Sequence, residues 1–297
     1  MLLRINHETH YSYSPAVETS QHLAHLKPLT NSLQTLLAHQ LSVHPQPDWL
    51  SESLDEFGNL RTFFALETAH ATLTVHASSL VRTLATPDAM AQAPDSPAWE
   101  AVRELLRYRA ARPWQAAAQY SFASENVPRH GDLAAYALPS FTPGRPLAQA
   151  AQDLMLRIHS DFTYASLSTD VHTPVLQALA QRRGVCQDFA HIMIGCLRSL
   201  GLAARYVSGY LLTEPAPGQM RLQGADASHA WVAVWLPGDG GQTAQWYELD
   251  PTNARCPGED YVTLAYGRDF FDVSPMRGVL YGGAKHQLSV AVTVAPA

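Results

Sequence analysis

Cys186, His229 and Asp250 are the side chains whose types and surroundings could do covalent chemistry. Cys186 follows Gly184-Val185 and opens an amphipathic run. In it Phe189, Ile192, Met193, Cys196, Leu197 and Leu200 recur at helical spacing and form one apolar face. Gly201 then supplies a left-handed stop. The spacing predicts a helix that begins at the cysteine, where unpaired N–H groups and the positive end of the dipole favour an anion. A thiol there is drawn toward the thiolate, the nucleophilic form. A lone cysteine is more often a small buried hydrophobe, so the assignment depends on its neighbours. His229 heads an alternating stretch over 229–236, and Asp250 closes another over 243–250. A two-residue turn at Asp239-Gly240 would set His229 directly across from Asp250 on one face. An imidazole to hold the thiol proton and a carboxylate to orient the imidazole complete what such a nucleophile needs.

The elements that must position these groups read as an α+β protein. Residues 1–85 carry strand-like segments near 2–14, 16–28, 34–45, 60–67 and 70–84, separated by turn clusters such as Asp55-Glu56-Phe57-Gly58-Asn59. They predict an N-terminal antiparallel β-sandwich with no nucleophile-and-base arrangement of its own. Residues 86–144 read as a linker, Pro- and Ala-rich over 86–98, followed by a helical segment with Trp99, Val102, Leu105 and Leu106 on one face. Residues 145–297 form the remaining unit, opening with a helix from 145 to 160 that turns Leu147, Leu154, Met155 and Ile158 inward. Thr173 as N-cap with Pro174 at the first position starts the next helix, which hands the chain to Cys186. After the cysteine helix, 203–212 alternates as a strand and 213–227 is a Pro- and Gly-containing loop just before His229. The stretch 286–294 is expected to close the same sheet as the His229 and Asp250 strands. Trp231, Trp235 and Trp246 on those strands fit core packing or a cleft lining equally.

Composition bounds the function. With 46% hydrophobic and 15% charged residues, 297 residues can bury a large core. The net charge of −6, with no basic run, argues against nucleic acid or an anionic membrane as partner. No signal-peptide apolar region or membrane span is expected, and three cysteines make a sparse set that fits a reducing compartment, so the expected location is cytoplasmic. The 14 histidines form no metal-ligand spacing and no Cys-x-x-Cys occurs, so neither a metal nor a cofactor is expected. Asp188 is read as a first-turn carboxylate favoured by the dipole, and His191 as a packing residue.

The segment Arg182-Arg183-Gly184-Val185-Cys186-Gln187-Asp188-Phe189-Ala190-His191, then His229-Ala230-Trp231, then Asp250-Pro251-Thr252, resembles the transglutaminase-like superfamily of papain-type cysteine enzymes. Gly201 to Tyr210 is similar to its bacterial branch, whose members carry an N-terminal β domain. The core resemblance spans about residues 145–256, and the tail from Arg268 to Val279 shares it. The resemblance implies a transglutaminase-like core, its nucleophile at a helix N-terminus packed on an antiparallel sheet. It makes Cys186 the nucleophile, His229 the base and Asp250 the orienting acid. It also calls for a second oxyanion donor, for which Tyr164 and Gln187 are both candidates. The implied function is amide or peptide acyl chemistry through a thioester, with hydrolysis preferred to cross-linking. The implied partners are a peptide or amide substrate and a possible primary-amine acceptor. A protein-glutamine acyltransferase and a non-catalytic peptide-binding protein with a vestigial site are the alternatives.

Overall fold

The computed structural model describes residues 1–85, 93–111, 113–165, 173–213, 228–238, 243–282 and 285–297. The chain begins with five strands, β1 (Leu2–Ala24), β2 (Gln34–His44), β3 (Trp49–Leu54), β4 (Leu60–Leu66) and β5 (His70–Thr83). On β1 the odd residues Leu3, Ile5, His7 and Thr9 are buried, the period-2 pattern of a half-buried strand. The segments expected at 2–14 and 16–28 are thus one strand, which changes partners midway. Leu2–Ser12 pairs with β5 and Ser20–Ala24 pairs with β4, with a register shift between Ser12 and Val17. Pro15 lies in that gap and has no N–H to continue a ladder. The sheet folds at this point over a core of Val17, Phe64, Leu66, Leu73 and Val75. The N-terminal module is therefore one continuous folded antiparallel sheet. β3 was not foreseen: it is a sheet edge with every side chain exposed, so it has no apolar alternation to read.

The helical part comprises α1 (Trp99–Leu106), α2 (Gly131–Ala137) and α3 (Leu147–Asp161), with a 3-10 helix at Ala116–Ser121. Leu147, Leu154, Met155 and Ile158 are all buried, as the spacing required. A two-residue strand β6 (Thr163–Tyr164) precedes α4 (Val175–Gln181) and pairs in parallel with β7 (Arg183–Gly184). Pro174, rather than Thr173, is the N-cap of α4 and makes no side-chain cap bond. α5 (Cys186–Ser199) follows and packs on β8 (Ala204–Leu211) and β9 (Ser228–Leu236). Its C-terminus closes as expected: Gly201 has φ +83° and the Leu202 N–H donates to the Leu197 carbonyl at 3.0 Å.

β10 (Gln245–Leu249), β11 (Tyr261–Gly267), the short helix α6 (Phe270–Val273), β12 (Met276–Gly282) and β13 (Lys285–Pro296) complete the chain. The core sheet is antiparallel in the order β10-β9-β8-β11. The stretch 286–294 does not close it. β12 and β13 instead run antiparallel along β1, from Ala24↔Met276 to Leu3↔Pro296. Alternation fixes which face of a strand is buried but not which neighbour it takes, so residues 276–296 belong by pairing to the N-terminal sheet rather than to a 145–297 unit.

Candidate active site

Cys186 is the first residue of α5, and its approach is built locally. The Asp188 carboxylate accepts the Val185 N–H at 2.8 Å, folding the first turn back on the chain that enters it. A Cβ on Gly184 would lie 2.6 Å from that carboxylate, so the tight entry needs glycine. Asp188 is buried and caps the helix, in line with its structural reading. His191 is also buried. Its Nε2 accepts the Phe270 N–H at 3.1 Å, and burial lowers its pKa to about 4, so it packs as a neutral ring.

His229 and Asp250 meet, though not by the expected turn. β9 and β10 pair with Val232 opposite Leu249 and Leu236 opposite Gln245, two residues out of the register that an Asp239-Gly240 turn would impose. The connection is longer than two residues, and 239–242 fall outside the described residues. A slip of two preserves the face, so the side chains still converge diagonally. His229 Nε2 donates to Asp250 Oδ2 at 2.7 Å. Cys186 acts on the same ring, through a hydrogen bond and electrostatically. Burial alone would lower the His229 pKa, but the hydrogen bonds and electrostatic interactions with Asp250 and Cys186 outweigh it and raise it to about 10. The ring is an imidazolium at neutral pH. For Asp250, burial alone would raise the pKa; the hydrogen bond to His229, its charge and the bonds from Tyr261 and Asn253 hold it below the usual carboxylate range.

Two residues of this network escaped sequence reasoning. The Tyr261 hydroxyl and the Asn253 amide each donate to Asp250 Oδ2 at 2.7 Å. Asp250 Oδ1 accepts the Thr252 N–H at 2.8 Å, so a fully buried carboxylate has every lone-pair direction answered. Asn253 had a faint signal, two residues past the Asp250-Pro251 pair; Tyr261 comes from β11 and had none. Trp231 lies beneath the histidine, ring centroids 6.1 Å apart, and donates Nε1–H to Glu248 at 2.7 Å. Its indole fills the space that a Cβ on Gly209 would need. None of Trp231, Trp235 and Trp246 borders the cavity beside Cys186.

That cavity has a volume of about 500 Å³. Cys186, His229 and both oxyanion candidates, Tyr164 and Gln187, border it. Tyr164 reaches it because β6 sets it beside Gly184, two residues before the thiol. The loop expected over 213–227 lies, except for Thr213, outside the described residues, as do 86–92 of the linker.

Comparison with known proteins agrees with this architecture. Residues 3–82 match the bacterial transglutaminase-like N-terminal region, and residues 134–251 match the transglutaminase-like superfamily. An uncharacterized protein of Mycobacterium tuberculosis is 40% identical over 296 residues, 99% of this chain and 92% of that protein. The crystal structure of a candidate cysteine protease from Cytophaga hutchinsonii shares the fold, with a TM-score of 0.75 at 20% identity, over 99% of this chain and 90% of that one. A protein-glutamine gamma-glutamyltransferase of Pseudomonas aeruginosa is 38% identical over 78 residues, 26% of this chain and 11% of that protein. The chain belongs to the transglutaminase-like superfamily, in the bacterial form with its own N-terminal region. No described helix is long and apolar enough to cross a membrane.

Proposed function

We propose that this chain is an enzyme of cysteine-dependent acyl chemistry on amides, with Cys186 as nucleophile, His229 as acid and base, and Asp250 as the orienting carboxylate. The observation that carries the reading is the hydrogen-bonded line Cys186–His229–Asp250 at the edge of the cavity. The Cys186 thiolate adds to the amide carbonyl carbon, and the carbonyl oxygen becomes an oxyanion. The Cys186 N–H at the start of α5 donates to it, with Tyr164 or Gln187 as the second donor. Collapse breaks the C–N bond, the departing amine takes the His229 proton, and a thioester remains. Water then attacks the thioester and gives a proton to His229, releasing a carboxylic acid and restoring the ion pair.

Hydrolysis is the preferred outcome because the bordering residues Tyr164, Leu288 and Val290 are about half exposed, which leaves water a path to the thioester. Transfer to a primary amine is the second reading, favoured by the match to the Pseudomonas aeruginosa glutamyltransferase. A cytoplasmic location is part of this proposal, in keeping with the sparse, odd set of three cysteines in the sequence.

The test is to incubate wild type and Cys186→Ala with a peptide library, with and without a primary amine, and to follow products by mass. Hydrolysed peptides from wild type alone support the hydrolase, and amine adducts support the transferase. No product in any arm contradicts catalysis and leaves a peptide-binding protein.

A further inference from the structure

The cavity has two walls of different origin. One is the catalytic core, with Cys186, Tyr206 and His229. The other is the N-terminal sheet, where β1 and β13 form a ladder of directly opposed residues: Tyr11↔Leu288, Thr9↔Val290, His7↔Val292 and Ile5↔Val294. Opposed residues on antiparallel strands share a face. Further along β13, Val292 and Val294 are fully buried against the core. The outer rungs are open on their β13 side, where Leu288 and Val290 are 52% and 50% exposed, while Thr9 opposite Val290 is buried; both β13 residues border the cavity that holds Cys186. Leu288 and Val290 thus present half-solvated branched apolar side chains to the cleft.

From this ladder we propose that the N-terminal sheet is the substrate-selecting wall, and that its outer rungs hold an uncharged apolar side chain, aromatic or branched, next to the attacked amide. The proposal rests on the reading that Cys186 attacks an amide carbonyl. The volume of about 500 Å³ lies in the range that encloses a small ligand, enough for such a side chain with its flanking peptide groups. Phe270 and Met276 extend the apolar lining, and among the described residues that border the cavity none is Asp, Glu, Lys or Arg. His7 adds no positive charge. Its Nδ1 is engaged with the Tyr210 hydroxyl at 2.8 Å and its Nε2 with the Thr9 hydroxyl at 3.1 Å, and burial keeps the ring neutral. Among the described residues of this wall, a charged substrate side chain would meet no oppositely charged partner.

The test is protection of Cys186 from iodoacetamide, read as the ratio of alkylation rates with and without ligand in each protein. The ligands are N-acetyl amides of phenylalanine, leucine, aspartate and lysine. The expected result is at least fivefold protection by the phenylalanine and leucine amides at a concentration where the charged amides give none. Leu288→Asp/Val290→Asp is expected to abolish that protection, and the gentler Leu288→Ala/Val290→Ala to reduce it severalfold. Equal protection by charged and apolar amides, protection by none, or protection unchanged in both variants would overturn the proposal. The unprotected alkylation rate reports separately on the thiolate, so a failed nucleophile and a failed subsite give different results.

Discussion

Two histidines border the same cavity from opposite walls and are held in opposite charge states. His229, on the transglutaminase-like core, has its pKa raised to about 10; His7, on the N-terminal sheet, has its pKa lowered to about 4. Both rings are largely buried, so burial cannot be what separates them. The difference is the partner. His229 meets a buried carboxylate at 2.7 Å and a thiol, whereas His7 meets only the hydroxyls of Tyr210 and Thr9. Desolvation alone disfavours an imidazolium, and an adjacent anion that is itself held ionised reverses the sign. One cavity thus has a histidine pushed toward its charged form on one wall and one pushed toward its neutral form on the other.

Removing the charge of Asp250 should erase the contrast. Asp250→Asn is expected to bring the His229 pKa back to its ordinary value or lower and to cut turnover of a cleavable peptide by roughly a thousandfold to ten-thousandfold, read as kcat. Turnover near wild type would mean that the carboxylate does not govern the base. Tyr261→Phe removes one of several hydrogen bonds to that carboxylate and should cost about tenfold in kcat, with KM little changed. An unchanged kcat would reduce Tyr261 to packing.

The histidines also predict opposite pH limbs of stability. The folded pKa of His229 lies above its unfolded value of 6.5, so its contribution is complete below that value and is lost as pH rises toward about 10. For His7 the folded pKa lies below 6.5, so stability is complete above that value and falls as pH drops toward about 4. His22 and His191 shift in the same direction as His7 and steepen the acid limb. Urea midpoints measured from pH 4 to 10 should therefore fall on both sides of neutrality. His7→Gln should flatten the acid limb alone, the smallest of these effects; flattening on the alkaline side would contradict the assignment.

How much of this was readable in the chain follows from range. The start of α5 at Cys186 was written in local signals, a glycine before it, an apolar stripe within it and a glycine after it. The meeting of His229 with Asp250 was readable because it needed only face parity across a hairpin, which survived a register two residues from the expected one. The destination of β13 was not readable, since an alternating strand names its buried face and not its neighbour. The same gap hid the second wall of the cavity, because Leu288 and Val290 stand about a hundred residues from Cys186. Tyr261 was hidden for a related reason: β11 is separated from β9 by β8 in the sheet, and only folding brings its hydroxyl to Asp250.

The proposed chemistry requires residue 229 to stay an imidazolium beside the cysteine through neutral pH. Histidine-selective 15N NMR, with the signal assigned by its loss in His229→Gln, measures this directly. A midpoint near pH 10 is expected for His229 in wild type, moved sharply downward in Asp250→Asn. A wild-type midpoint at or below the ordinary 6.5 would show a neutral ring at rest and contradict the ion pair on which the proposed chemistry depends.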